Sequence, residues 1–291
     1  MTQMGRPPES GPATFARIGI VGLGLIGGSV ALAARRAYPT AQVIGVDHAD
    51  VLEVAMQRHA IDVGAADPII LADADLIVLA APVLQNLQVL ESLKASVQTP
   101  AVITDTGSTK RQMADAARRL PERLTFVGGH PLAGAAVGGL AHAHPDLFQG
   151  RPWLFTPAAD IAPTVLARLL AFAQALGARP SVMGVDAHDR MLAFLSHLPQ
   201  LTASALMDVV GSAVQEEGLA FAGRGLVDTT RLASSPADIW RDIVATNADQ
   251  VGAALDTLIA LLQELRHDIG RGERLTEVFQ AANQWRQALP K

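Results

Sequence analysis

Ile18-Gly19-Ile20-Val21-Gly22-Leu23-Gly24-Leu25-Ile26-Gly27-Gly28-Ser29-Val30-Ala31-Leu32-Ala33-Ala34-Arg35 is the stretch from which the rest of the chain can be read. A short apolar strand runs into glycines 22, 24 and 27 at the G-x-G-x-x-G spacing, and an alanine-rich helix follows at once. Gly22 allows a tight turn, Gly24 lets a pyrophosphate approach the backbone, and Gly27 lets the helix lie close on the strand. The N–H groups of Leu25 and Ile26, at the positive end of that helix, then face the phosphates. This predicts a dinucleotide site.

The other half of the fingerprint is an acid. Strand Gln42-Val43-Ile44-Gly45-Val46 ends in Asp47, twenty residues after Gly27. A carboxylate there accepts hydrogen bonds from ribose hydroxyls and repels a 2′-phosphate, which favours NAD over NADP. A bare glycine turn without a ligand is the alternative, and strand, helix and acid together weigh against it. Ile18 to Ala34 is also uncharged, but five glycines and marginal length argue against a signal peptide or membrane span.

The chain has 291 residues, enough for two domains, and 49% of them are hydrophobic, in keeping with a globular protein. Its net charge of −5 offers no basic surface for nucleic acid, and no other apolar run is long enough for a bilayer. The expectation is a cytoplasmic protein. The absence of cysteine excludes disulfides, thiolate metal sites and a cysteine nucleophile. His142 and His144 are close, but with no third ligand they read as solvent-facing, so no metal is expected. Residues 1–14, with Pro7, Pro8, Gly11 and Pro12, read as a disordered tail.

From residue 15 to 184, short apolar runs alternate with amphipathic stretches, as in a parallel sheet covered by helices. Strands are predicted at 17–21, 42–46, 76–80, 101–105, 125–128, 152–156 and 179–183, with helices at 26–36, 110–120 and 163–176 among them. Residues 185–291 read as all-helical. One long helix is predicted from Ser235-Pro236-Ala237-Asp238, with Ser235 as cap and Pro236 in the first position. Its apolar stripe, Trp240, Val244, Val251, Leu255, Leu258, Leu262 and Leu265, is about 40 Å long at 1.5 Å per residue. Such a stripe needs a partner of similar length, which predicts a homodimer; the alternative is a bundle within one chain.

Ligands in an open parallel sheet bind at the carboxyl ends of strands. Ala80 and Pro82, after strand 76–80, are therefore expected to face the nicotinamide half of the cofactor. Ser108, in Asp105-Thr106-Gly107-Ser108-Thr109-Lys110, is placed to bond cofactor, substrate hydroxyl or both, or to cap the helix that starts near Lys110. His130, in Gly128-Gly129-His130-Pro131, reads as an imidazole displayed on a loop just after a strand, suited to take a proton from an alcohol as hydride leaves the same carbon. Bonding to a loop carbonyl is its bland alternative. Pro199, in Leu195-Ser196-His197-Leu198-Pro199, predicts a helix kink near His197. Arg231, in Asp228-Thr229-Thr230-Arg231, suits two-point recognition of a carboxylate with Asp228 holding it, although such a residue is more often a surface ion pair.

Together these motifs resemble the prephenate dehydrogenase family, which includes arogenate and cyclohexadienyl dehydrogenases of tyrosine biosynthesis. The resemblance is carried by the glycine turn, Asp105 to Lys110, Gly129-His130-Pro131-Leu132-Ala133-Gly134, Ser196-His197-Leu198-Pro199, and Asp228 to Arg231 through Ser235-Pro236 to Trp240, in family order over roughly residues 16 to 270. It implies an α/β Rossmann-type N-terminal domain, an all-α C-terminal dimerisation domain, and NAD-dependent oxidative decarboxylation of prephenate to 4-hydroxyphenylpyruvate. By that likeness His130 accepts the proton of the ring hydroxyl, Ser108 holds that hydroxyl, His197 binds substrate from the kinked helix, and Arg231 pairs with a substrate carboxylate.

Many relatives carry an acid two positions after the glycine of the histidine loop, where this chain has Ala135-Ala136-Val137. Without that charge, a preference for the ammonium of arogenate weakens and prephenate is favoured. An end at Lys291, soon after the helices, leaves no appended regulatory domain expected. Two other readings compete. A hydroxyacid dehydrogenase would use a lysine of the helical part, which has only Lys291. A non-catalytic NAD-binding sensor would have no need to keep His130 and Arg231.

Overall fold

The computed structural model describes residues 15–134 and 138–289; the tail expected at 1–14, the Ala135-Ala136-Val137 step and Lys291 lie outside them. Eight strands form one sheet: β1 (Arg17–Val21), β2 (Gln42–Val46), β3 (Val63–Ala65), β4 (Leu76–Leu79), β5 (Ala101–Asp105), β6 (Leu124–Pro131), β7 (Pro152–Thr156) and β8 (Arg179–Val182). Their order is β3-β2-β1-β4-β5-β6-β7-β8, and the first six are parallel. The order reverses between β1 and β4, so the crevice at their carboxyl ends is the place where such a sheet binds ligands. Strands β1 and β4 are apolar nearly throughout because both faces of the sheet are covered. Ile18, Ile20, Leu76 and Val78 face one core and Val21, Ile77 and Leu79 the other.

The sheet differs from the sequence reading in an added strand and in the direction of another. β3 was not anticipated, since Val63-Gly64-Ala65 is too short and too poor in β-formers to signal a strand. β7 runs antiparallel to β6, not parallel. A parallel return needs a long crossover, usually helical, and the segment between these strands shows only a 3-10 turn at Leu140–His142 among its described residues.

Five helices accompany the strands: α1 (Leu25–Ala37), α2 (Ala49–Gln57), α3 (Val83–Ser96), α4 (Arg111–Ala117) and α5 (Pro163–Ala175). After β8 the described chain is helical: α6 (Val185–Leu192), α7 (Leu198–Leu219), α8 (Arg224–Thr229), α9 (Ala237–Thr246), α10 (Ala248–Asp268) and α11 (Glu273–Gln287). The disturbance expected near His197 is a π turn, Ala193–His197, between α6 and α7. Pro199 has no N–H to give and its ring crowds the carbonyl four residues back, which a widened turn relieves.

The single long helix expected from Ser235 is two helices. Asn247, at φ −135° and ψ 31°, separates α9 from α10. Ser235 does not cap; its hydroxyl is 3.1 Å from Gln200 Oε1, and Pro236 holds the cap position without a side-chain bond. Val244, Val251, Ala254 and Leu255 close on Ala193, Leu198 and Leu201. The far end of the stripe stays open, with Leu262 54% exposed, and Phe221, Ile269, Phe279 and Trp285 are also exposed. Among the described residues no helix is long and apolar enough to cross a membrane.

Candidate active site

The glycine turn is shaped as its spacing requires. Gly22 has φ +86°, and a Cβ there would lie 2.6 Å from the Ala81 backbone nitrogen; a Cβ on Gly27 would collide with the Gly22 carbonyl oxygen. Gly24, by contrast, faces open space and ends α1 with no side chain capping the helix. Asp47 closes the turn from β2: Oδ2 accepts the Leu23 N–H at 2.6 Å and Oδ1 the His48 N–H at 2.7 Å. Gly22, Gly24, Asp47, Ala80 and Pro82 line one groove. Leu25 and Gly27, in the first turn of α1, are buried and do not line that groove. This cradle, with an uncapped helix end and a carboxylate at the end of β2, fits an adenine dinucleotide.

A second cleft adjoins it, lined by Ile26, Ala80, Pro82, Thr106, Ser108 and, from α9, Asp242. Ser108 is half-buried there. It does not cap α4. That role falls to Asp189 of α6, whose Oδ1 accepts the Lys110 N–H at 2.8 Å and whose Oδ2 accepts the Arg111 N–H at 2.9 Å. The same seam carries Thr109 to Thr246 at 2.8 Å and ion pairs from Arg111 to Asp186 and Asp249.

His130 lies within β6, not on a loop, and is 9% exposed, not displayed. The strand extends past the expected 125–128 because β7 pairs with Gly128 through Pro131. Gly129 permits the close fit to β5: a Cβ would meet the Asp105 carbonyl oxygen at 2.5 Å. His130 Nδ1 lies 2.9 Å from Nε2 of His188, and His188 Nδ1 donates to Asp189 Oδ1 at 2.8 Å. Burial works against the Asp189 charge, but hydrogen bonds from His188 and from the Arg111 and Lys110 N–H groups outweigh it and lower its pKa. Burial first, then the charges of Lys110, His188 and His197, holds the His130 pKa well below the ordinary 6.5. Lys110 itself is wholly buried against Asp105, and burial lowers its pKa although Asp105 opposes the shift.

His197 is fully buried on the π turn, 3.4 Å through Nδ1 from Nδ2 of Asn247, which donates to the Asp189 carbonyl at 2.9 Å. A chain of contacts thus joins His130 to His197. Burial lowers the His197 pKa to about 4, opposed by Asp189 and aided by His188, and its Nε2 has no partner among the described residues. Arg231 stands apart, exposed on a 3-10 turn (Arg231–Ser234). The expected support from Asp228 is not made; both side chains are exposed, and among the described residues neither forms an ion pair. Gln200, one turn beyond His197, holds the neighbouring Leu232 carbonyl at 2.7 Å, tying this turn to α7. His142 and His144 are exposed, and no metal-holding cluster occurs among the described residues.

Sequence reasoning missed His188, Asp189 and Asn247. A signal existed in Asp189, Ala193 and His197, which recur every four residues and mix charge into a buried helical stripe.

Comparison with known proteins gives two family matches: "Prephenate dehydrogenase, nucleotide-binding domain" over residues 30–182 and "Prephenate dehydrogenase, dimerization domain" over residues 185–281. A prephenate dehydrogenase of Bacillus subtilis is 34% identical over 93% of this chain and 75% of its own length. A cyclohexadienyl dehydrogenase of Zymomonas mobilis is 30% identical over 94% of this chain and 96% of its own. The crystal structure of prephenate dehydrogenase from A. aeolicus, in complex with hydroxyphenyl propionate and NAD+, superposes with a TM-score of 0.87 at 28% identity, covering 94% of this chain and 98% of that one.

Proposed function

Since this chain belongs to the prephenate dehydrogenase family, we propose that it catalyses the NAD-dependent oxidative decarboxylation of prephenate to 4-hydroxyphenylpyruvate and CO2. The reading rests above all on one arrangement: a buried, neutral imidazole near the carboxyl end of β6, in the same sheet whose β1 and β2 ends carry a cradle shaped for a dinucleotide.

Gly22, Gly24, Leu25, Ile26 and Gly27 would hold the pyrophosphate, Asp47 the ribose, and Ala80, Pro82 and Ser108 the nicotinamide half. When bound, NAD supplies the acceptor for the hydride that leaves ring carbon C4. His130 is the base: its free ring nitrogen takes the C4 hydroxyl proton as that carbon is oxidised. Loss of CO2 makes the ring aromatic, and the phenolate oxygen then takes the proton back from His130, so no net proton is released. Ser108 orients the hydroxyl, His197 contacts the substrate, and the exposed Arg231 guanidinium meets a carboxylate. Aromatisation drives the step downhill, so the protein chiefly orients a dianion and moves one proton.

The helical part forms a homodimer in this reading, supported by its match to a dimerization domain and by the uncovered Leu262, Phe279 and Trp285. The protein works in the cytoplasm, on a small-molecule substrate, without nucleic acid or membrane partners. Similarity to a cyclohexadienyl dehydrogenase over almost the whole chain keeps arogenate as the second substrate to assay. NADH formation with prephenate, accompanied by 4-hydroxyphenylpyruvate, is the expected result. Turnover of arogenate alone moves the substrate assignment, and turnover of neither overturns the reading.

A further inference from the structure

We propose that His188 and Asp189 are positioning residues that fix the tautomer of His130, so that its Nε2 carries the lone pair offered to the substrate. The inference rests on His130 being the base and adds what makes it one.

An ionised carboxylate only accepts hydrogen bonds. Asp189 accepts from the Lys110 and Arg111 backbones and from His188 Nδ1, so His188 Nδ1 bears its hydrogen. In a neutral His188 ring, Nε2 is then a lone pair. That lone pair lies 2.9 Å from His130 Nδ1, and two lone pairs do not face each other at that distance. His130 Nδ1 is therefore the donor. Its hydrogen leaves Nε2 bare, and no group among the described residues bonds to that nitrogen. With His188 doubly protonated the order reverses and His130 Nε2–H becomes an acid, which is the wrong state to start an oxidation.

On balance, burial and the charges around His130 favour the neutral starting state. Lys110, paired with Asp105, His188 of α6 and His197 of the π turn all disfavour a positive ring. Once the proton arrives, Nδ1–H still donates to His188, and the Asp189 carboxylate behind it answers the new charge. The relay also crosses between two parts of the chain. His130 belongs to β6 of the sheet, whereas His188 and Asp189 belong to α6, the first helix after it.

Nitrogen NMR of the full chain with 15N-labelled histidine rings tests this, with His130→Asn used to assign the His130 signals. The expected result near neutral pH is a protonated Nδ1 and a bare Nε2 in the unsubstituted chain. The reverse pattern overturns the relay whatever the kinetics. His188→Phe, which keeps a buried ring without an acceptor, should move the hydrogen to Nε2 and lower kcat by about 10²- to 10⁴-fold with NAD affinity retained. His188→Gln, whose amide oxygen can accept from Nδ1–H, should recover most of that loss. An unchanged tautomer and kcat in His188→Phe also overturns the relay. If that variant fails to fold, the measurement on the unsubstituted chain still decides. Full turnover by His130→Asn with the expected tautomer in the parent sinks the base reading instead, so the two failures are separable.

Discussion

Asp105 at the end of β5 accepts the backbone N–H of Gly129 at 3.0 Å, fastening the strand that carries His130 to the turn that carries Ser108. Its other oxygen accepts the Gly107 N–H at 3.0 Å and meets the buried Lys110 ammonium. The site is therefore braced by the sheet. A substitution at His130 tests chemistry with little disturbance of the cofactor groove.

His130→Asn is expected to keep NAD binding and lose turnover by about 10²- to 10⁴-fold, the usual worth of a general base. Steady-state kinetics with a nucleotide-binding titration measures both. Retained kcat removes His130 from the role.

The pH profile follows from the same residue. His130 accepts a proton only when neutral, and burial with Lys110, His188 and His197 holds its pKa well below 6.5. Protonation inactivates, so kcat/KM should stay level as pH falls to 6.5 and decline only below it. An acid limb centred above 6.5 contradicts this account of its surroundings.

Asp47→Asn should narrow the preference for NAD over NADP by about tenfold, equal to about 1.4 kcal/mol. The amide oxygen can still accept the Leu23 N–H, at the loss of the His48 N–H acceptor, while the charge that repels a 2′-phosphate is gone. The ratio of kcat/KM for the two cofactors is the readout, and an unchanged ratio places discrimination elsewhere.

Arg231→Ala should raise the substrate KM by about thirtyfold, roughly 2 kcal/mol, with kcat little altered. The loss falls at the low end of the range for a charge pair because the side chain is exposed before substrate arrives. An unchanged KM assigns the carboxylate to another group.

Stability should also depend on pH through His197. Its folded pKa of about 4 lies below the ordinary 6.5, so the unfolded chain binds the proton first as pH falls. The contribution is complete above 6.5 and is lost on the way down to about 4, up to about 3 kcal/mol. His197→Gln should flatten that part of the curve in denaturant titrations. An identical pH dependence in the variant would exclude His197 as its source.

Much of the fold was legible because its signals are local. The strand–glycine–helix run at 18–35 and the acid at Asp47 declare themselves by spacing alone. The bounds of β7 are equally local, but its direction is not, since that depends on how the chain returns after Pro131 and not on the residues that pair. The sequence places His130 on a loop because glycines read as turns, whereas here Gly129 is set by close contact with β5 and Gly128 by contact with Thr156 of β7. The helix break at Asn247 was hidden under an apolar stripe that continues across it; what stops the helix is a side chain turned inward to Asp189 and His197. His188 and Asp189 stand out little in the sequence, because their value lies in His188 touching His130, 58 positions earlier, and in Asp189 holding His188.

The partition of that relay has a further meaning. On the proposed mechanism, one half of the molecule furnishes the proton acceptor and the other half tells it which nitrogen to use. A change that merely loosens the seam between α4 and α6 would leave the nucleotide groove intact and still disarm the enzyme. Tolerance to substitution should therefore be narrowest along that join, well away from any atom of the substrate.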